Sequence, residues 1–285
     1  LRARNELARL AITQEDQDEA RAIVDEILGL DPENPDALVV RAYLQLQDDA
    51  VEEAIANLRR AVRADPESIR AVYLLGRAHQ IQGAAGLARD TFARAVELDP
   101  LQADSVRQLL PYYLADQRYE QAEEMLDRIV EADRADADLL VALIRVKLLL
   151  EEYEAAERLA LRAASALDDP GIATFVRGIS LRGQGRDRTA LEVFETLLER
   201  DPLSSDALTA LVDAHVALDQ RDRALAVLER HIDAYPDFMA ARNLLARELA
   251  RADDWAGAVA VLEAAIRHAP SSLGSYANLA QGHAL

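Results

Sequence analysis

The sequence predicts an all-α protein built as a stack of helix-turn-helix repeats, and three periodic features predict it. The first is proline spacing: Pro32, Pro66 and Pro100 stand 34 residues apart, and Pro202, Pro236 and Pro270 resume the same interval. The stretch between the two runs is three periods long, so the absent marks fall at Arg134 and Asp168, and Pro170 sits two residues beyond the second. Self-similarity at a fixed period of this length is the signature of a repeat array, in which each unit packs on its neighbours rather than around one central core. Counted from Leu1, the copies are 1–34, 35–68, 69–102, 103–136, 137–170, 171–204, 205–238 and 239–272, with 273–285 opening a ninth. The second feature is an alanine at the twentieth place of all eight copies: Ala20, Ala54, Ala88, Ala122, Ala156, Ala190, Ala224 and Ala258. The third is a bulky residue one helical turn later, as at Val24, Leu58, Phe92, Leu126, Phe194, Leu228 and Leu262.

Each copy therefore reads as two amphipathic helices, A over about the first fourteen places and B over about places 16–30, joined by a short polar turn. The small residue on B lets the helices approach, and Gly76 and Gly178 at the eighth place of A supply the facing gap. The Asp-Pro pair ends helix B, because proline lacks a donor and disfavours helical geometry in the residue before it. Two places later a capping residue starts the next helix: Asn34, Ser68, Asp136, Ser204 and Ser272 can each accept from the free amides of the first turn. Pro35 stands in the tolerated first helical position. Pro111, inside "RQLLPYYL", removes a bond to the carbonyl of Arg107, and a kink is expected there.

Small residues at the eighth and twentieth places, a large one at the twenty-fourth, Ala61, Ala95, Ala163 and Ala265 at the twenty-seventh and Pro near the thirty-second make the chain resemble the tetratricopeptide repeat family. The copy 69–102, with Leu75, Gly76, Ala88, Phe92, Ala95 and Pro100, carries the resemblance most fully. The resemblance implies a right-handed superhelix, a single solenoid over 1–285 of eight helix-turn-helix repeats plus one further helix. Departures are the missing Trp at the fourth place, Arg41 and Arg177 where Leu is usual, and the displaced Pro170, so an irregular coil is expected around 134–180. Nine layers spaced by about 10 Å give a length of roughly 80–90 Å, room for about 25 residues of extended peptide.

Bulk composition excludes several functions. With 51 acidic against 32 basic residues the formal charge is −19, which argues against a nucleic-acid or anionic-membrane partner. Cysteine is absent, so disulfides, thiol catalysis and thiolate metal sites are excluded. The longest apolar run, around 139–150, is broken by Arg145 and Lys147 and does not insert in a membrane. The chain opens "LRARNEL" without Met and stops at "GHAL" in mid pattern, and reads as an excised piece of a longer protein.

In the family, places two, five, nine, twelve and thirteen of helix A point into the concave groove. Carried onto this sequence, that resemblance puts Arg9, Arg77, Arg145 and Arg247 at the ninth place, Arg107 at the fifth and Arg182 at the twelfth, with Tyr43, Tyr73 and Phe175 between them. Arg and aromatic side chains combine contact area with directional donors, as binding anchors do. The competing expectation is that these arginines pair with Asp36, Asp104, Asp138, Asp206 or Asp213 on the same face. Helix 137–150 is apolar nearly all round, so Val141, Leu148 and Leu149, with Leu114, Ile172, Phe175 and Ile179, form an apolar patch edged by Arg145 and Arg182. Either a partner or the curvature of the stack covers it, and self-association would use the same surface.

No catalytic reading survives. His79, His215 and His283 occupy the eleventh place of separate repeats, a packing position too widely spaced for a shared ion. "RGQGRD" at 182–187 follows no strand and lacks a phosphate-loop Lys, so it is a turn. The pairs Glu52-Glu53, Glu123-Glu124 and Glu151-Glu152 sit near B-helix starts, where carboxylates suit the dipole. No cofactor is expected. The reading is a non-catalytic scaffold that takes a protein or peptide in its groove, its Arg-rich, Cys-free repeats similar to those of bacterial exopolysaccharide-export and protein-sorting systems, which favours an envelope setting. The alternative is the repeat arm of an enzyme, a glycosyltransferase or sulfotransferase, whose catalytic domain lies outside this segment.

Overall fold

The computed structural model describes residues 1–268, and every described regular element is an α-helix. Pro270, Ser272, His283 and the partial repeat 273–285 lie outside the described residues. The helices come in pairs at the expected register. They are α1 (Arg2–Thr13) and α2 (Gln17–Leu30), α3 (Pro35–Gln47) and α4 (Val51–Ala64), α5 (Ile69–Ile81) and α6 (Ala85–Leu98), α7 (Ala103–Ala115) and α8 (Tyr119–Glu131). They continue as α9 (Ala137–Leu149) and α10 (Tyr153–Leu167), α11 (Pro170–Gly183) and α12 (Asp187–Arg200), α13 (Ser205–Ala217) and α14 (Arg221–Ala234), α15 (Met239–Arg251) and α16 (Trp255–His268). The chain forms two compact units, Leu1–Val146 and Lys147–Leu285. Within each, helices pack on their chain neighbours and the A helices of successive repeats also touch, α1 on α3 and α3 on α5 in the first, α11 on α13 and α13 on α15 in the second. This is the solenoid mode of packing.

Every A-to-B turn is built the same way. The residue at the fifteenth place is left-handed in all eight repeats: Glu15, Asp49, Gln117, Glu151, Asp219 and Asp253 have φ of 61, 59, 56, 61, 57 and 60°, and Gly83 and Gly185 have 78 and 72°. The amide one residue later then donates back five residues, as Asp16 does to Ala11 (2.9 Å), Ala84 to His79 (2.9 Å) and Arg186 to Leu181 (2.8 Å). That six-to-one bond closes the helix end and reverses the chain in three residues.

The B-to-A connections explain the recurring Asp-Pro. Asp31, Asp65 and Asp99 are extended or nearly so, with φ of −141, −135 and −141°, as a residue before proline prefers. The carboxylates of Asp65, Asp99 and Asp201 accept the amides of Glu67, Leu101 and Leu203 at 3.2, 3.0 and 3.2 Å, a side-chain turn across the proline. Where the proline is missing, the chain switches to the left-handed stop: Asp133 and Asp168 have φ of 55 and 53°. The irregularity expected around 134–180 is thus seen in the two connections themselves. α11 starts early, with Pro170 as its first residue and Asp169 as its cap, accepting from Gly171 at 2.9 Å. The expected caps Asn34, Ser68, Asp136 and Ser204 accept from Ala37, Ala71, Leu139 and Ala207 at 3.2, 3.4, 3.1 and 3.3 Å. α7 runs on through Pro111 as one helix.

The core repeats with the same period. All eight twentieth-place alanines are buried, and the bulky residues after them fill the helix interface, with Phe92 and Phe194 fully buried. Successive repeats are also tied by arginines at the twenty-sixth place, Arg60 to the Pro32 carbonyl (2.6 Å) and Arg94 to that of Pro66 (2.9 Å).

Candidate peptide-binding face

In the first unit the A helices gather charged and aromatic side chains from successive repeats. Arg9 pairs with Asp36 of the next repeat and with Glu6 at 3.1 Å, and Asn5 shares the same carboxylate at 3.2 Å. Arg70 is exposed, yet the surrounding protein and then the like charge of Arg9 hold its pKa below the ordinary arginine value, while Asp36, Tyr43 and Glu6 pull it back. Those five groups therefore share one electrostatic neighbourhood spanning three repeats. Tyr43 and Tyr73 are half-buried, and the Tyr73 ring tilts against Phe92 at 6.0 Å, which ties it to the core.

The arginines expected to form a free stripe divide into two kinds. Arg107 is held by Asp104 at 2.9 Å and by Asp136, and Arg9 is held as described, so both are largely neutralised on their own face. Arg77 is half-buried, its Nε is closed off from water without a hydrogen-bond partner, and no carboxylate lies within ion-pair distance among the described residues. Arg145 is exposed and likewise makes no ion pair among the described residues. Leu114 is half-buried and Val141 is 43% exposed.

In the second unit Leu148 is half-buried and Leu149 is 45% exposed. Phe175 and Ile179 pack onto the cluster of Leu181, Phe194 and Leu211, with the Phe175 and Phe194 rings 6.1 Å apart, so both belong in part to the core. Arg182 resembles Arg77: half-buried, its Nε buried without a partner. Arg247 bridges Asp213 (3.2 Å) and the fully buried Glu248 (3.0 Å), which Arg251 also holds at 2.8 Å.

Sequence reasoning missed Arg70, although it stands at the second place of its helix, among the positions assigned to the groove. The signal was its alternation with Asp36 and Asp104 at the same place of the flanking repeats. His79 and His215 are buried at the eleventh place, inside the packing rather than on this face. No helix among the described residues is long and apolar enough to cross a membrane.

Family models described as tetratricopeptide repeat match residues 5–69, 40–103 and 181–248. No curated protein matches the sequence. Among solved structures, the chain is similar to one in the structure of Naa15/Naa10 bound to HypK-THB, at 18% identity and a TM-score of 0.58, covering 96% of this chain and 43% of that one. It is also similar to the C-terminal part of a TPR repeat-containing protein from Cytophaga hutchinsonii, at 14% identity and a TM-score of 0.55, covering 96% of this chain and 99% of that one. Proteins of this fold are generally non-catalytic interaction scaffolds. With the period, the small-to-large contact and the capped helix pairs all in place, the chain belongs to the tetratricopeptide repeat family.

Proposed function

We propose that the chain is a protein-interaction scaffold whose A-helix face, in the first unit, binds a polypeptide carrying acidic groups. Arg77 and Arg145 hold those groups, Arg70 adds to the local positive field, and Tyr43 and Tyr73 pack against apolar side chains of the ligand. The observation that carries this reading is the lack of a carboxylate partner at Arg77 and Arg145 among the described residues, in a chain with 51 acidic residues against 32 basic ones. Arg9 and Arg107 find internal carboxylates on the same unit; a half-buried guanidinium with an unpartnered Nε gains most when a ligand supplies the acceptor. A similar structure, that of Naa15/Naa10, is of a complex bound to HypK-THB, which supports a polypeptide as the ligand class. The likeness of these Arg-rich, Cys-free repeats to export and sorting arrays supports a bacterial envelope setting.

The test is affinity capture from a lysate of the source organism, comparing wild type with the double variant Arg77→Glu, Arg145→Glu, read by mass spectrometry. Both side chains reach solvent and make no ion pairs among the described residues, so helicity and melting stay nearly unchanged. Proteins retained by wild type and lost by the variant support the assignment. Identical retention by the two overturns it.

A further inference from the structure

The two arginines that replace leucine at the seventh place of helix A have different fates. Arg41 on α3 reaches back to the preceding B helix and pairs with Asp25 on α2. Arg177 on α11 is the same residue at the same place, but the position equivalent to Asp25 is Leu161 on α10, which is 66% exposed. Arg177 is exposed and forms no ion pair among the described residues. Where one repeat supplies an internal carboxylate, this one supplies a leucine.

The surroundings of Arg177 are open for a second reason. At the fourth place of helix A the repeats beginning at residues 35, 69, 103, 137 and 205 carry Leu38, Val72, Val106, Leu140 and Leu208, all buried. Repeat 171–204 has Thr174 instead, its hydroxyl donating to its own helix at the Pro170 carbonyl, 3.2 Å away. At the twenty-sixth place Thr196 replaces the long arginine that Arg60 and Arg94 use to bridge to the preceding repeat, and its hydroxyl too turns inward, to the Glu192 carbonyl at 2.8 Å. Two short side chains and one unpaired arginine leave a cleft of about 420 Å³ between α10, α11 and α12, lined by Leu161, Thr174, Arg177, Glu192, Val193 and Thr196 among others. Its volume falls in the range of ligand clefts, and its makeup is an aliphatic wall beside one cation.

We propose that this cleft is a second docking site, distinct from the A-helix face of the first unit, that takes an acidic side chain of a bound polypeptide together with an aliphatic neighbour. The incoming carboxylate accepts from Arg177 as Asp25 accepts from Arg41, so the bond formed is of a kind the fold already makes elsewhere. The aliphatic residue packs on Leu161 and Val193, covering a leucine that is otherwise two-thirds in water. Glu192, which lines the same cleft and forms no ion pair with Arg177, leaves an acceptor for a peptide N–H and disfavours ligands carrying a second acidic group beside the first.

The experiment is a nuclear magnetic resonance titration of the whole labelled chain, following the Arg177 Nε–H signal and the methyl groups of Leu161 and Val193. The probes are acetyl-Leu-Asp-Leu-amide, its Asn counterpart and sodium acetate. The Asp peptide shifts all three sets of signals saturably, the Asn peptide binds at least about tenfold more weakly, and acetate leaves the methyl groups unmoved. Leu161→Asp supplies the missing internal partner and Arg177→Leu restores the usual residue; both abolish the shift of the Val193 methyl groups, the signal present in each, and both are surface changes that leave melting intact. The proposal is overturned if the Asp peptide leaves the signals unmoved, if the Asn peptide or acetate reproduces its effect, or if either variant still binds.

Discussion

The ring of Phe92 lies where the Cβ of any other residue at position 76 would be: an added Cβ on Gly76 meets Phe92 Cε1 at 2.6 Å and Cδ1 at 2.7 Å. Helices α5 and α6 approach this closely only because one side chain is absent and the facing one fills the gap. The relation recurs between Gly178 and Phe194, at 2.4 Å. Gly76→Ala removes a glycine from a helix interior, which by propensity alone stabilises by roughly 0.5–1 kcal/mol, but the forced shift of a fully buried ring costs about 1–3 kcal/mol. The clash wins, so the variant unfolds at lower urea concentration than wild type. Adding Phe92→Leu to Gly76→Ala recovers part of the midpoint, although each change alone destabilises; additive losses in the double variant would show that the two residues do not compete for the same space.

The left-handed residue at the fifteenth place makes the opposite prediction for glycine. Gln117 and Glu151 adopt φ of 56 and 61°, where a Cβ crowds the carbonyl at a cost of about 1–2 kcal/mol. Gln117→Gly and Glu151→Gly relieve it and, after the entropy glycine loses on folding, each stabilises by about 0.5–1 kcal/mol. Gly83→Ala, at φ 78°, loses a similar amount. Thermal unfolding of the three single variants checks the sign at each site.

How much of this was legible in the sequence depends on whether the signal lay in residue identity. The fold did, because Ala20 and its equivalents, Gly76, Phe92 and the Asp-Pro pairs are the residues that make the contacts. The turn geometry did not: only Gly83 and Gly185 announce a positive φ, while Glu15, Gln117 and Glu151 adopt it because a three-residue reversal leaves no alternative. The binding face was legible as a set of places and illegible as a charge distribution. Arg9 and Arg77 share a place and a residue type, and the next repeat offers each an acid at its second place, yet Asp36 pairs with Arg9 while Asp104 pairs with Arg107 of its own helix. Arg41 and Arg177 teach the same lesson through Asp25 and Leu161.

Two histidines, His79 buried and His231 half-buried, give the chain a defined acid sensitivity. His79 is 3% exposed; burial, and next the charge of Arg59, lower its pKa, with a bond to Gln82 opposing. His231, beside the rings of Tyr235 and Phe238, is lowered by burial, against a hydrogen bond to the Pro202 carbonyl. Unfolded, both titrate near about 6.5, so the unfolded chain binds more protons as pH falls through that value. Their contribution to stability is fully present above it and is lost as pH falls toward the lowered folded values. Melting temperature therefore drops between about pH 7.5 and 5.5, and His79→Tyr with His231→Phe flattens that slope. An unchanged slope in the double variant would place its origin in other groups.

The two repeats without proline at the thirty-second place look like sites for consensus repair, and the structure predicts that repair fails. In repeats 1–34, 35–68, 69–102 and 171–204 the proline there follows an extended or nearly extended Asp and, lacking an N–H, has no helical bond to lose. In repeat 103–136 the chain instead ends α8 with Asp133 at φ 55°, and the amide of Arg134 donates to the Ile129 carbonyl at 3.0 Å. Arg134→Pro deletes that bond and disfavours the conformation of the residue before it. At the equivalent place of repeat 137–170, Asp168 is itself left-handed, at φ 53°, which a pyrrolidine ring locked near about −65° does not reach. Arg134→Pro is therefore destabilising by about 1–3 kcal/mol and Asp168→Pro by about 3 kcal/mol or more, read as lowered melting of the whole chain. Pro170 already serves the second site in another role, as the first residue of α11, so restoring the period there would require moving the helix start as well. If Asp168→Pro instead raised the melting temperature, the left-handed stop would have to give way to an Asp-Pro turn without cost, and the account of these two connections as alternative helix stops would be wrong.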